Sequence, residues 1–359
     1  MAYTTIDDPS AHFHIQLYTG NGSSDHQITN NANAGDFKPD WLWVKPRSES
    51  DNPVHFDSSR GSDRQLKSNG TDAEDTHSPA RFTFLTDGFE IDSNDRNYNQ
   101  SSATYVAWQW IANGGTTTSF SASGAQLAGT RQSNTTAGFS IITYTGDGNN
   151  NATIPHGLNS APKYVIIKDR GNATNWYVGH NSTFTTGEIF FNLTNAVAAA
   201  FGPFNKTAPT ASNIVLGTDG NVNGSGDTMI CYAFAEVQGY SKFGSYTGNG
   251  NADGPFVYTG FKPAYVVIKR TDSTGNWWIY DTIRNGASGS NTNPAHKILY
   301  TNDSSGEVDN SSRGVDLVSN GFKLRHTLGN TNADGGTYIY MCFASHPFVS
   351  SEGVPTTAR

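Results

Sequence analysis

Apolar positions in this chain fall in short runs separated by stretches rich in Gly, Asn, Thr and Ser, and the runs return three times in the same order. Tyr18-Thr-Gly-Asn-Gly22 recurs as Tyr144-Thr-Gly-Asp-Gly148 and as Tyr246-Thr-Gly-Asn-Gly250. Each is followed by a Pro that opens an aromatic and aliphatic run ending in Lys: Lys38-Pro-Asp-Trp-Leu-Trp-Val-Lys45, Ala161-Pro-Lys-Tyr-Val-Ile-Ile-Lys168 and Lys262-Pro-Ala-Tyr-Val-Val-Ile-Lys269. Each repeat closes on a second run: Thr104-Tyr-Val-Ala-Trp-Gln-Trp110, Thr228-Met-Ile-Cys-Tyr-Ala-Phe234 and Thr337-Tyr-Ile-Tyr-Met-Cys-Phe343. Three anchors in one order, three times over, mark an internal repeat.

The runs are too short and too β-branched or aromatic for helices, and turn residues punctuate them. Pro at the head of a run costs a strand least, because its missing N–H is not needed there. The Tyr-Thr-Gly-Asn/Asp-Gly element ends a strand and enters a turn that tolerates positive φ. A further strand is expected at Asn175-Trp-Tyr-Val178 and Asn276-Trp-Trp-Ile-Tyr280, with Val54-His-Phe56 as a weaker counterpart. Gly88-Phe-Glu-Ile91, Asn213-Ile-Val-Leu216 and Gly321-Phe-Lys-Leu324 precede the closing strands. The fold class is therefore all-β: three tandem diverged modules of ~100 residues, each like a β-sandwich or jelly roll. Asn195 to Phe201 reads as either a short helix or an edge segment. The expected boundaries are residues 1–112 for the first module, 138–237 for the second and 238–348 for the third, with 349–359 as a tail. Residues 113–137, rich in Gly, Ser, Thr and Ala, read as a linker or arm. The tight join at Gln238 predicts that the second and third modules pack together and that the first is more independent.

Composition supports a buried core: 16 Tyr, 20 Phe and 7 Trp supply much apolar area. Net charge is −8, and Lys and Arg are scattered, so no nucleic-acid partner is expected. No apolar stretch approaches the ~20 residues of a membrane helix, and the first residues do not read as a signal peptide. The expectation is a soluble chain without membrane insertion. Cys231 and Cys342 fall on the same face of equivalent closing strands and are expected as buried free thiols.

No nucleophile elbow, zinc-protease helix, P-loop or dinucleotide fingerprint occurs, and no catalytic residue or cofactor is assigned. Asp219, Asn221 and Asn223 match the opening of a calcium loop, but Ile230 stands where the bidentate Glu belongs. A turn held by Asn and Gly explains the same residues, and no metal is assigned. Trp176, Tyr177, Trp277 and Trp278 are the candidates for ligand or subunit contact. Neighbours on a strand face opposite ways, so one of each pair is expected partly exposed. The polar segments from Arg60 to Pro79 and from Gly286 to Arg313, where the modules differ, are expected to touch neighbouring subunits.

The modules resemble a repeat found in virion proteins of tailed phages, notably marine and cyanobacterial ones. The resemblance spans nearly the whole chain. It rests on Thr5-Ile-Asp-Asp-Pro-Ser10 before Tyr18-Thr-Gly-Asn-Gly22, on Phe37-Lys-Pro-Asp-Trp-Leu-Trp-Val-Lys45, on Phe56-Asp-Ser-Ser-Arg-Gly61 and on Thr104-Tyr-Val-Ala-Trp-Gln-Trp110. The second module lacks the Asp-Ser-x-Arg-Gly element, and the third keeps only Asp281-Thr-Ile-Arg-Asn285. The resemblance implies a non-enzymatic virion structural protein, made in the host cytoplasm and placed on the exterior as head decoration or cement. Its expected partners are other virion proteins, major capsid or tail, and further chains of its own kind in a homo-oligomer such as a trimer. One alternative is a tail-fibre or receptor-binding component that adheres to host surface glycan. Another is a glycoside hydrolase with carbohydrate-binding repeats.

Overall fold

The computed structural model describes residues 3–200, 202–285 and 293–356, and the chain is all-β with open antiparallel sheets. Each repeat builds one large and one small sheet. In the first module the large sheet runs Phe13–Thr19, Thr104–Trp110, Trp41–Pro46, Val54–Asp57, Gly61–Lys67 and Asp75–Thr76, in that spatial order. The third module repeats it with Ser241–Thr247, Thr337–Pro347, Phe261–Arg270, Trp278–Asp281, Lys297–Tyr300 and Val308–Asp309. The second does so with Phe139–Thr145, Thr228–Ala235, Pro162–Asp169, Tyr177–His180 and Ile189–Phe190. In every module the strand that opens the repeat and the strand after the Pro flank the closing strand.

The recurring turn has a definite job. The hydroxyls of Tyr18, Tyr144 and Tyr246 donate to the carbonyls of Tyr98, Val222 and Thr331 at 2.8, 2.6 and 2.7 Å. The backbone N–H of Asn21, Asp147 and Asn249 donates to the side-chain oxygen of a buried Asn, which is Asn99, Asn223 and Asn332 in turn. Gly20, Gly146 and Gly248 lie so close to that loop that a Cβ would meet backbone at 2.2 to 2.3 Å. The motif thus ties the first strand of each module to the loop before its last strand.

Side chains of the central strands alternate between two cores. Leu42, Val44, Tyr105 and Ala107 join Ile28, Phe82, Phe89 and Ile91 of the small sheet in a core private to the first module. Val165, Ile167 and Cys231 do the same in the second module, and Val266, Ile268 and Cys342 in the third. Both cysteines are buried and free. The opposite faces do not meet water. Trp41, Trp43, Trp108 and Trp110 join Tyr164, Ile166, Tyr232 and Phe234 and also Tyr265, Val267, Met341 and Phe343 in one core common to all three modules. Trp41 stacks on Tyr232 with centroids 4.4 Å apart, and Phe13 stacks on Phe343 at 5.2 Å. A run apolar at every position is what a sheet buried on both faces requires.

This core changes three expectations. The first module is not set apart, because it contacts the second and the third as closely as they contact each other. The segment read as a linker supplies Thr118–Phe120 and Ala128–Asn134, and the latter pairs along Phe139–Thr145 and widens the second sheet. Its polar composition suits a sheet margin that buries only Leu127, Gln132 and Ala137. Residues 195–200 form no helix; Ala198 bridges Glu188 in extended conformation, and Phe201 lies outside the described residues.

Candidate functional site

The repeats are scaffold, so the chemistry worth following lies where they touch. Around the shared core the contacts recur in cyclic order, first to second, second to third, third to first. Glu74 N–H donates to the Arg170 carbonyl, Val197 N–H to the Thr271 carbonyl and Glu307 N–H to the Arg47 carbonyl, at 2.8, 2.8 and 2.7 Å. These are equivalent residues of the three modules, and each bond crosses a junction.

Two junctions carry a buried charge network. At the first-to-second junction, Arg60 Nε meets Asp57 Oδ2 at 2.5 Å and Arg60 Nη1 meets Glu74 Oε2 at 2.9 Å. Arg170 of the second module grips the same Glu74 through Nε and Nη2 at 2.9 and 2.8 Å, and Tyr232 donates its hydroxyl to Asp57 at 2.7 Å. At the third-to-first junction, Arg284 binds Asp281 at 2.6 Å and Glu307 at 3.2 Å. Arg47 binds Glu307 through two nitrogens at 3.0 and 2.9 Å, and the indole of Trp108 donates to Asp281 at 3.0 Å. Trp108 and Tyr232 occupy equivalent positions on the closing strands. Burial opposes the charge on Arg60 and Arg284, but their carboxylate partners outweigh it and hold both above the usual arginine range. Burial likewise pushes Glu74 and Glu307 up, while the arginines on either side pull them further down.

The second-to-third junction substitutes every member. His180, Thr183 and Val197 replace the Asp, Arg and Glu of the one module; Thr271 and Met341 replace the Arg and the aromatic donor of the other. His180 Nδ1 lies 2.8 Å from Ser182 Oγ, while Nε2 is buried without a partner in hydrogen-bonding geometry. Burial holds its pKa down at about 4, against a weak opposing pull from the backbone of Gly244 and Tyr340. None of the five replacing residues carries a charge near neutral pH, and these two modules are the pair linked by the short join through Gln238.

The three lysines that end the apolar runs cap loops near the same junctions. Lys45 Nζ donates to the carbonyls of Asp51 and, across the junction, Ser304, and Lys269 Nζ reaches Thr194 of the second module. Lys168 Nζ stays within its own module on Asp169, Asn172 and Thr174. Burial lowers all three, Lys45 to about 7 and Lys168 and Lys269 to about 8.

Each residue singled out from the sequence has a place in this frame. Trp176, Tyr177, Trp277 and Trp278 are all buried, which corrects the expectation that one of each pair faces solvent. The alternation holds, but it leads from one core to another. Trp176 Nε1 donates to the Lys67 carbonyl of the first module, and Trp277 Nε1 to the Phe190 carbonyl of the second, both at 2.9 Å. They are contact residues between modules of one chain. Tyr177 and Trp278 pack inside their own modules. Asp219 caps a single helical turn, Gly220–Asn223, by accepting from Asn221 N–H, and it also accepts from the Tyr177 hydroxyl. Asn223 is the buried Asn of the recurring turn, so the calcium-like spacing is spent on backbone geometry. Of the buried carboxylates, Asp57 and Asp281 meet arginines, whereas Asp40 and Asp169 accept loop amides.

Glu74 and Glu307, from the two segments where the modules differ, contact other modules of the same chain, and residues 286–292 of the second segment fall outside the described residues. Sequence reasoning missed the two networks. Their trace was the Asp-x-x-Arg spacing at Asp57 and Asp281, absent from the second module.

One family model, described as a domain of unknown function, DUF7483, matches residues 8–347. The chain belongs to this family. The DUF7483 unit therefore takes in all three modules and all three junctions. No curated protein and no solved structure matches the DUF7483 chain.

Proposed function

We propose that this DUF7483 chain is a non-enzymatic structural protein on the exterior of a tailed-phage virion, decorating or cementing the head. Each module is read as a sandwich-like or jelly-roll-like unit, and the three together as one rigid block. The observation that carries the reading is the shared aromatic core. One face of the apolar runs common to the repeats holds the three modules together, and polar loops lie on the outside. Such a block resists local opening and offers several fixed contact points to a lattice, where weak contacts add. The resemblance to virion repeats supplies the setting. Copy number tests it: a head protein is expected at a substantial fraction of the major capsid protein in a stained gel of purified virions. A band at fibre-like abundance, or none, would overturn the head placement.

A second reading, host-glycan adhesion by a tail component, has one observation in its favour. Phe256 and Tyr258 are 46% and 54% exposed on the outer face of one short strand. The equivalent positions are Gln27 and Thr29 in the first module and Thr153 and Pro155 in the second. Glycan-array binding that disappears in Phe256→Ala and Tyr258→Ala would favour this reading over decoration.

A further inference from the structure

The first strand of each module lies at the end of its set, and only the second module covers it. There Ala128–Asn134 pairs along Phe139–Thr145. Gln132, opposite Ile141, turns toward the first module and donates through Nε2 to Ser58 Oγ and Ser59 Oγ at 2.8 and 2.7 Å. Ser133 Oγ donates to the His156 carbonyl at 2.9 Å, beside Gly157. The added strand thus fills the notch between its own sheet, a loop of its own module and the Ser58-Ser59 corner of the next.

Among the described residues the equivalent strand of the first module, Phe13–Thr19, has a strand neighbour on one side only. Beside it lies an open groove of about 290 Å³ lined by Phe13, Ile15, Asn31, Ala264, Thr282 and Ile283 among others. The lining answers the filled notch residue by residue. Thr282 and Ile283 correspond to Ser58 and Ser59, Ala264 corresponds to Asp40, and Asn31 corresponds to Gly157. Asn31 and Gly157 share a positive φ, 50° and 70°. The groove is therefore the vacant counterpart of the place that Gln132 occupies, with Ala264 and Ile283 standing where Asp40 and Ser59 line the filled notch, while His14, Asn31, Thr282 and His346 keep part of the lining polar. Ile283 is 39% exposed there, one of few large apolar side chains that are.

The third module's edge, Ser241–Thr247, differs. Its corner carries Lys163, with Nζ 3.3 Å from Asn181 Oδ1, and the strand carries Lys242 paired to Glu236 at 2.9 Å. Charges of this kind discourage strand pairing. Among the described residues the groove beside the first module's edge is lined by no lysine, arginine or carboxylate, and its titratable groups are His14 and His346.

We propose that Phe13–Thr19 receives an extended segment of a partner protein as an added antiparallel strand. The segment is uncharged at the pocketed position, with an aliphatic side chain opposite Ile15 that seats against Ala264, Thr282 and Ile283. Backbone pairing gives affinity and the one pocketed side chain gives selectivity. The inference rests on the edge and the groove alone, so it stands or falls apart from the virion reading.

The test uses the full chain and a synthetic peptide of residues 126–136, labelled, in two forms: the native sequence and one with leucine in place of Gln132. Fluorescence anisotropy should show the leucine form binding about ten-fold or more tighter, as burial of one aliphatic side chain implies. Ile283→Arg, at a partly exposed site, should abolish that preference while the melting curve stays unchanged. Hydrogen exchange should slow at amides of Phe13–Thr19 and not of Ser241–Thr247. Equal affinity of the two peptides, insensitivity to Ile283→Arg, or protection elsewhere overturns the proposal. Concentration-dependent dimerisation of the chain that Ile283→Arg removes would make the occupant a second chain, and would also overturn it.

Discussion

Replacing Arg60 with threonine, the residue the second module carries at Thr183, removes the centre of the first-to-second network. Arg60 is fully buried in its side chain and binds Asp57, Glu74 and the carbonyls of Arg64 and His55. Its loss leaves Asp57 with the amides of Ser59 and residue 60 and the Tyr232 hydroxyl, and Glu74 with Arg170 and the more distant Arg64 at 3.8 Å. Breaking a buried pair by deleting one partner costs about 3–5 kcal/mol, chiefly through the charge left behind. Replacing the whole network is a different perturbation. Asp57→His, Arg60→Thr, Glu74→Val, Arg170→Thr and Tyr232→Met together copy the neutral junction and remove two positive and two negative charges. That variant should lie within about 2 kcal/mol of the parent, because exchanging a buried ion network for fitting neutral groups is often neutral. Urea unfolding followed by tryptophan emission measures both, with the slope m as a check that the transition is the same. An Arg60→Thr cost under about 1 kcal/mol would refute the reasoning that a stranded buried charge dominates. A five-site variant no better than Arg60→Thr alone would refute the equivalence of the junctions.

Other consequences follow from the same geometry. Trp277→Ala should cost about 3–5 kcal/mol in the same urea assay, as loss of a fully buried indole does, and Tyr258→Ala, on an exposed site, under about 1 kcal/mol. His180 is depressed to about 4 in the folded chain, so its contribution is full above the ordinary histidine value and is lost as pH falls through about 4. At pH 5 the loss is about 2 kcal/mol, and His180→Leu should reduce the difference in stability between pH 7 and pH 5 by that amount. Asp219→Ala should cost about 1 kcal/mol, the worth of one cap, and added calcium should leave the melting temperature of the parent unchanged.

The strands and their order were legible because every anchor repeats three times and each has a local cause. Pro opens a strand, Gly and Asn make the turn, and the continuous aromatic and aliphatic runs mark the central strands. What the sequence could not reveal was which part of the chain covers the second buried face. Trp41 and Leu42 are equally apolar, and nothing within one module says that Trp41 meets Tyr232 of another. The same gap misplaced Trp176 and Trp277, whose environment is set by how modules meet. Ala128–Asn134 was missed as a strand because only Gln132 of it is buried, too little to leave a pattern. Asp57 and Arg60 were visible as a spacing, but a buried network and a solvated loop look alike until the partners Arg170 and Tyr232, far along the chain, are brought beside them.

The shared core is the claim on which the account stands, and tryptophan exposure tests it most directly. Trp41, Trp43, Trp108, Trp110, Trp176 and Trp277 all belong to that core, and all seven tryptophans of the chain are buried. Modules strung as separate beads would turn those six toward water. Acrylamide quenching of the native chain should therefore be shallow and the emission blue-shifted, both reverting together in urea. Steep quenching with emission as red as free indole, in a chain still rich in β structure, would contradict a common core.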